Sequence, residues 1–118
     1  MTKTITELIT DAHETATSKG WWEDRDPVEK IPEQIALMHS ELSEALEEYR
    51  NGNMEHLEPP YTYYQSDGKP EGFGIELADC MIRIFDTCGA LGIDLNECLR
   101  DKMAYNETRS HRHGGKKC

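Results

Sequence analysis

The chain reads IPEQIALMHSELSEALEEY from Ile31 to Tyr49. Apolar side chains recur there at steps of three and four residues, at Ile31, Ile35, Met38, Leu42, Ala45 and Tyr49. This is the spacing of an amphipathic α-helix that buries one stripe in a bundle. Pro32 suits the first turn of such a helix, and Asn51-Gly52 can end it. The stretch therefore predicts a long, bundle-forming helix.

Three other segments carry the same helical period. They run from Ile5 to about Lys19, from Phe73 to about Ala90 and from Leu95 to about Arg109. The predicted inner stripe of the segment that begins at Phe73 consists of Ile75, Ala78, Ile82, Phe85 and Gly89. That of the last segment consists of Leu95, Cys98 and Leu99. Capping-box spacing marks two starts, with Thr4 before Glu7 and Asp94 before Glu97. A single valine argues against an all-β fold. We predict one all-α domain over residues 1–118, a four-helix bundle-type unit.

Residues 53–72 interrupt this pattern and are rich in Tyr, Pro and Gly. We predict an irregular insert there, and Asp67-Gly68 is compatible with the turn of a short hairpin. A loop of this length in a small domain is usually functional or mobile. Residues 110–118 are polar and basic and are expected to form a loose tail.

The composition limits the possible functions. The formal net charge is −10, and residues 1–60 hold 14 acids against 5 bases, a net charge of −9. Binding of duplex DNA is therefore not expected, because phosphate neutralisation needs a basic surface. No apolar run reaches the ~18 residues of a membrane span, and the start lacks the apolar stretch of a signal peptide. We expect a cytoplasmic protein.

The apolar content predicts a thin core. Leu, Ile, Val and Phe number only 20 of the 118 residues. We therefore expect a homodimer or homotetramer in which partner chains complete the core. Cys80, Cys88 and Cys98 lie in apolar helical patterns and are interpreted as buried free thiols rather than disulfides or zinc ligands.

Two pairs of carboxylates flank the apolar stripes of neighbouring helices. Glu41 and Glu44 lie three residues apart on the second helix, and Glu76 and Asp79 have the same spacing on the third. If the helices pack, the four carboxylates repel one another unless a cation lies between them. An all-oxygen set suits Mg²⁺, with Mn²⁺ as an alternative. Solvated helix faces are the structural alternative for each pair alone.

The inward stripe of the fourth helix turns polar and basic halfway along, at Lys102, Asn106 and Arg109. Burying Lys and Arg without partners is costly. Their partners are either the facing carboxylates, a purely structural role, or a bound anion. Lys as a point charge and Arg as a bidentate fork are common phosphate ligands.

Glu41-Leu-Ser-Glu44, Glu76-Leu-Ala-Asp79 and Lys102-Met-Ala-Tyr-Asn106-Glu-Thr-Arg109 occur in this order. Together they resemble the E-x-x-E…E-x-x-D signature and the later Lys…Asn…Arg run of MazG-like, all-α nucleoside triphosphate pyrophosphohydrolases. The resemblance extends from the first helix to about Gly115. The gap between Glu44 and Glu76 is longer than in the compact members of that family.

The resemblance implies a four-helix unit that dimerises, often into a dimer of dimers. It implies Mg²⁺-dependent hydrolysis of a (deoxy)nucleoside triphosphate to the monophosphate and pyrophosphate, as in housecleaning of the nucleotide pool. The same resemblance implies that Mg²⁺ would be held by Glu41, Glu44, Glu76 and Asp79. The phosphates would be contacted by Lys102, Asn106 and Arg109. Glu44 is our candidate for the general base, because a carboxylate near the metal can accept a proton from the attacking water.

Trp21 and Trp22 follow the first helix. Core packing or a dimer contact is the structural interpretation, whereas stacking on a nucleobase is the functional one, which we assign to Trp22. Two other functions stay open at this point. The acidic half of the chain could form a non-catalytic interaction module, or the protein could bind nucleotides as a sensor without cleaving them.

Overall fold

The computed structural model describes residues 2–52 and 54–109 and is mostly helical. The described part contains four α-helices, one 3₁₀ helix and one two-stranded antiparallel sheet. The predicted all-α class is confirmed. The elements are α1 (Ile5–Ser18), α2 (Ile31–Asn51), the 3₁₀ helix (Met54–Leu57), β1 (Tyr63–Tyr64), β2 (Pro70–Glu71), α3 (Phe73–Leu91) and α4 (Leu95–Thr108).

The helix starts follow from local hydrogen bonding. The Thr4 hydroxyl accepts from the backbone N–H of Glu7 at 3.1 Å, and the Glu7 carboxylate accepts from the N–H of Thr4 at 2.8 Å. This is the predicted capping box of α1. The Asp94 carboxylate likewise accepts from the N–H of Glu97 at 3.0 Å and caps α4. Both caps were expected from the sequence because they depend on residues only three apart.

Helix α3 is the central element and packs against both α1 and α2. The α1–α3 contact is close at Gly89, where an added Cβ would lie 2.6 Å from the Cβ of His13. Helix α4 packs against α1, and none of its residues is buried. The single chain is therefore a three-helix core with a peripheral fourth helix.

Fewer apolar side chains are buried in the core than the predicted stripes contain. Its buried hydrophobic residues among the described part are Ala45, Cys80, Phe85 and Cys88. Several residues predicted to face inward are exposed instead: Ile35, Leu42, Tyr49, Ala78, Ile82, Cys98 and Leu99. Those predictions were wrong for the isolated chain, because periodicity identifies the apolar side of a helix but not which neighbour covers it.

The insert contains the short hairpin that Asp67-Gly68 suggested. Tyr63 pairs with Glu71 and Tyr64 with Pro70, which closes a short hairpin around Asp67-Gly68. The predicted tail at 110–118 lies outside the described residues. Within the described residues, no helix is both long enough and apolar enough to cross a membrane.

Candidate metal centre

Three of the four predicted metal ligands converge where α2 packs on α3. Glu41, Glu44 and Glu76 each offer a carboxylate oxygen, and these oxygens lie within 4.8 Å of one another. Glu41 and Glu44 share one side of α2 because they are separated by nearly one helical turn. Glu76 lies in the first turn of α3 and is directed at them. Glu41 and Glu76 are buried, whereas Glu44 is exposed.

Glu76 is the most unusual residue of this group. Its side chain is about nine-tenths buried, with 8 % of the residue exposed. Its Oε2 atom has no hydrogen-bond partner among the described residues. Burial, followed by the hydrogen bond and the charge of Glu44, raises the pKa of Glu76 from 4.5 to about 8. Buried carboxylates are normally hydrogen-bonded or paired with a cation, so this oxygen is a candidate ligand for a cation.

Glu41 has a partial counter-charge. Arg83 donates from Nε and Nη2 to Glu41 Oε1, both at 3.4 Å. Burial still raises the pKa of Glu41, although the Arg83 guanidinium opposes the shift. Arg83 was not predicted as a site residue, although it follows Glu76 by seven residues and therefore lies on the same side of α3. One guanidinium at the edge of the cluster leaves the net charge negative.

Asp79 lies beside the three converging carboxylates. Its charge raises the pKa of both Glu41 and Glu76, although it is only half-buried. The residues fit a hard divalent cation, because all donors are carboxylate oxygens and one of them is buried without a partner. Mg²⁺ commonly binds through few carboxylates and completes its shell with water and phosphate oxygens. Glu41, Glu44 and Glu76, with Asp79 nearby, match that requirement.

A second carboxylate group shares Glu76. Glu48, Glu71 and Glu76 also have oxygens within 4.8 Å of one another. Glu48 lies one turn beyond Glu44 on α2, as helical spacing predicts. Glu71, which comes from the insert, was not predicted as a site residue. No local pattern identifies it, because its position depends on how the hairpin closes against α2 and α3.

The predicted phosphate ligands lie on α4. Lys102 and Arg109 lie near the ring of Tyr105 on the same helix, with 5.0 Å from Nζ and 5.7 Å from Cζ to the ring centroid. Lys102 and Asn106 are exposed, and Arg109 is half-buried. Lys102 forms no ion pair with a described carboxylate. The structure thus brings together three of the four predicted acidic ligands, whereas the assignment of Lys102, Asn106 and Arg109 to phosphates stays a prediction.

Trp22 belongs to a different polar cluster, at the other end of α3. Its indole N–H donates to Asp86 Oδ1 at 2.8 Å, and His13 Nδ1 donates to the same oxygen at 2.9 Å. The buried Lys30 ammonium lies 4.7 Å from the Trp22 ring centroid. These contacts are structural, and nucleobase stacking by Trp22 stays a prediction. An open, mainly apolar groove of about 500 Å³ lies beside this cluster, between α1 and α3.

The sequence matches no protein-family model, and comparisons with curated proteins and with solved structures return no significant match.

Proposed function

We propose that this protein is a Mg²⁺-dependent nucleoside triphosphate pyrophosphohydrolase with a MazG-like, all-α fold. The observation that carries the proposal is the convergence of Glu41, Glu44 and Glu76, together with the buried, unpartnered oxygen of Glu76. The order of the three sequence motifs supports it independently. The substrate would be a (deoxy)nucleoside triphosphate of the cytoplasmic pool.

The chain's own residues divide the chemistry as follows. Glu41, Glu44, Glu76 and Asp79 would hold the cation. When bound, Mg²⁺ orients the triphosphate, lowers the pKa of a coordinated water and offsets charge on the departing pyrophosphate. In the proposed hydrolysis, a water oxygen would bond to the α-phosphorus while the bond from this phosphorus to the α–β bridging oxygen breaks. Glu44 is exposed and can accept the proton that this water loses.

The remaining substrate contacts are assigned to the polar and basic residues of α4 and to Trp22. We assign Lys102, Asn106 and Arg109 to the phosphates, because solvent reaches the first two and both cations suit phosphate oxygens. Trp22 is assigned to the nucleobase, for which aromatic faces are suitable partners.

The proposed enzyme is a homodimer or homotetramer. Exposed apolar side chains on one side of α2, at Ile35, Leu42, Leu46 and Tyr49, support this assembly. Tyr49 is the most exposed of these four, at 66 %, which is unusual for an apolar position of a bundle stripe. Helix α4, with no buried residue of its own, offers a second surface for such packing.

A product assay tests the enzymatic proposal. The protein is incubated with Mg²⁺ and a panel of canonical and modified dNTPs, and pyrophosphate and monophosphate are quantified. Glu44→Gln should abolish turnover while leaving the helix content by circular dichroism intact. Glu47→Gln is the matched control, because Glu47 is exposed on the same helix and belongs to neither carboxylate group. Full activity of Glu44→Gln, or no turnover of any nucleotide by the native protein, would contradict the proposal.

A non-catalytic acidic interaction module is the alternative, supported by the net charge of −9 in residues 1–60. Such a module needs no convergence of carboxylates, and EDTA should leave its stability unchanged. The buried, unpartnered oxygen of Glu76 favours the enzyme, because a surface module gains nothing from a buried acid without a partner. A nucleotide sensor is separated from the enzyme by the same product assay, since it binds triphosphates without releasing pyrophosphate.

A further inference from the structure

The insert is held against the carboxylate-bearing helices by several contacts. The Tyr63 hydroxyl donates to both carboxylate oxygens of Glu48, at 3.1 and 3.2 Å. The ring of His56 stacks on Tyr63 with 4.0 Å between centroids. Tyr63 is in turn paired with Glu71 across the hairpin. The insert therefore places Glu71 at a defined position beside α2.

Gly72 fixes the junction between the insert and α3. Its φ of +119° is accessible mainly to glycine, and an added Cβ would lie 2.7 Å from the backbone oxygen of Tyr61. The N–H of Gly74 donates to that same oxygen at 2.9 Å. Because this junction lies between Glu71 and Glu76, it sets their relative position. The backbone conformation at Gly72 therefore helps to bring the Glu71 and Glu76 carboxylates close together.

Within the part of the chain that the structure describes, the charges around Glu71 are only partly balanced. Gln65 Nε2 donates to Glu71 Oε1 at 3.0 Å, and the Lys69 ammonium lies 3.3 Å from the same oxygen. The Lys69 side chain is 65 % exposed and therefore screens weakly. On the buried side, Glu76 keeps the oxygen that has no partner among the described residues. The solvent-exposed Lys69 is thus the ammonium that pairs with this group of three carboxylates in the described ranges.

We infer that Glu48, Glu71 and Glu76 form a second divalent-cation site, in which the insert supplies one ligand and Glu76 is shared with the first site. Each carboxylate has two oxygens with several lone pairs, so Glu76 can serve two ions. The oxygen-only set suits Mg²⁺ or Mn²⁺. A hollow of about 320 Å³, lined by Glu48, His56 and Tyr63 among others, gives solvent access to Glu48. The inference extends the proposed function and rests on it for the first site.

Mn²⁺ binding measures this site without any catalytic turnover. Bound and free Mn²⁺ are counted by electron paramagnetic resonance for the native chain, Glu71→Gln and Glu58→Gln. Glu58 is an exposed acid of the same insert that belongs to neither carboxylate group, so its variant is the matched control. Glu71→Gln should bind one ion fewer, or bind it at least about tenfold more weakly. Glu58→Gln should match the native chain.

A second variant covers the case in which Glu71→Gln fails to fold. Lys69→Met removes the ammonium beside Glu71 and should tighten the last Mn²⁺ ion, because a competing cation is gone. Unchanged Mn²⁺ binding in a folded Glu71→Gln, or in Lys69→Met where Glu71→Gln does not fold, overturns the inference. If the native protein nevertheless releases pyrophosphate, the proposed function stands without the second site. If the native chain binds no Mn²⁺, both proposals fail.

Discussion

Two buried carboxylates on α3, ten residues apart, have opposite surroundings. Asp86 is 5 % exposed and receives N–H groups from His13 and Trp22, with the buried Lys30 ammonium nearby. Glu76 is 8 % exposed and is surrounded mainly by other acids. The burial of the two side chains is nearly equal, so burial alone does not distinguish them.

The difference lies in which partners the fold provides. At Asp86, donors come from α1 and from the segment between α1 and α2, so its charge is satisfied within the chain. At Glu76, the neighbours come from α2 and the insert and are themselves carboxylates. A buried charge without partners costs several kcal/mol, on the order that a bound ion can offset. Asp86 is therefore a structural carboxylate with partners inside the chain, whereas Glu76 has an oxygen without a partner among the described residues.

The largest expected effect concerns pH and Glu76 in metal-free protein. The pKa of Glu76 is raised from 4.5 to about 8, so between these values the folded chain holds a proton that the unfolded chain has lost. The free energy of unfolding should therefore fall as the pH rises through this window. Relative to Glu76→Gln, which cannot ionise, the native chain should lose on the order of 4 kcal/mol by pH 9.

Urea unfolding of both proteins in EDTA, at pH 5 and at pH 9, measures this difference. The two curves should nearly coincide at pH 5 and separate at pH 9, with Glu76→Gln the more stable. Parallel pH profiles would show that Glu76 has an adequate partner in the folded chain. The contrast with Asp86 would then disappear.

Asp86→Ala should lower the free energy of unfolding at neutral pH, whereas Glu76→Gln should raise it at high pH. Removing this carboxylate leaves the Trp22 N–H and a His13 nitrogen without their acceptor and removes a counter-charge from Lys30. We expect a loss of about 3 kcal/mol in the free energy of unfolding, measured in urea at pH 7. Asp86→Asn is the control, because its amide oxygen can still accept from Trp22. Equal losses in both variants would show that the charge, rather than the hydrogen bonds, stabilises this cluster.

The helices of this molecule were predictable because their signals are local. The Thr4–Glu7 and Asp94–Glu97 caps depend on residues three apart, and the structure has both. The convergence of Glu41 and Glu44 with Glu76 also followed from the sequence. Each pair shares one side of its helix, and α2 packs on α3 through the side that carries Gln34 and Glu41 rather than through most of the predicted stripe, which brings the acids together.

Long-range features were not predictable in the same way. Glu71 reaches the carboxylates only because Gly72 adopts a positive φ and the hairpin closes on Tyr63, and no periodicity encodes this. The exposure of Ile82 and Cys98 shows the converse case, in which a correct helix carries an apolar side that the single chain leaves uncovered. The sequence therefore specifies the helices and the polar side chains beside their apolar stripes more strongly than it specifies which surfaces pack against each other.

Divalent cations should restore the stability that Glu76 costs. At about 100 times its dissociation constant, a ligand that binds only the folded state adds about 2.7 kcal/mol. We expect Mn²⁺ or Mg²⁺ to raise the melting temperature of the native protein, more at pH 8 than at pH 6, because the cation must displace the Glu76 proton. Asp86→Asn should show the same cation-dependent rise, whereas Glu76→Gln should show much less. A rise of equal size in Glu76→Gln would argue for cation binding elsewhere.

The smallest effect tests the hydrogen bond that the insert provides to Glu48. Tyr63→Phe removes the hydroxyl that donates to Glu48, and burial with this hydrogen bond raises the pKa of Tyr63 above its ordinary value of 10.0. We expect a loss of about 1 kcal/mol in the free energy of unfolding without metal, the usual contribution of one such bond. In saturating Mn²⁺ the loss should shrink, because a bound ion then provides the positive partner for Glu48. Chemical denaturation of native and Tyr63→Phe protein, each with and without Mn²⁺, gives this coupling as a double difference. If the loss is the same with and without the ion, the Tyr63 hydroxyl and the cation act on different carboxylates, and Glu48 must be removed from the second site.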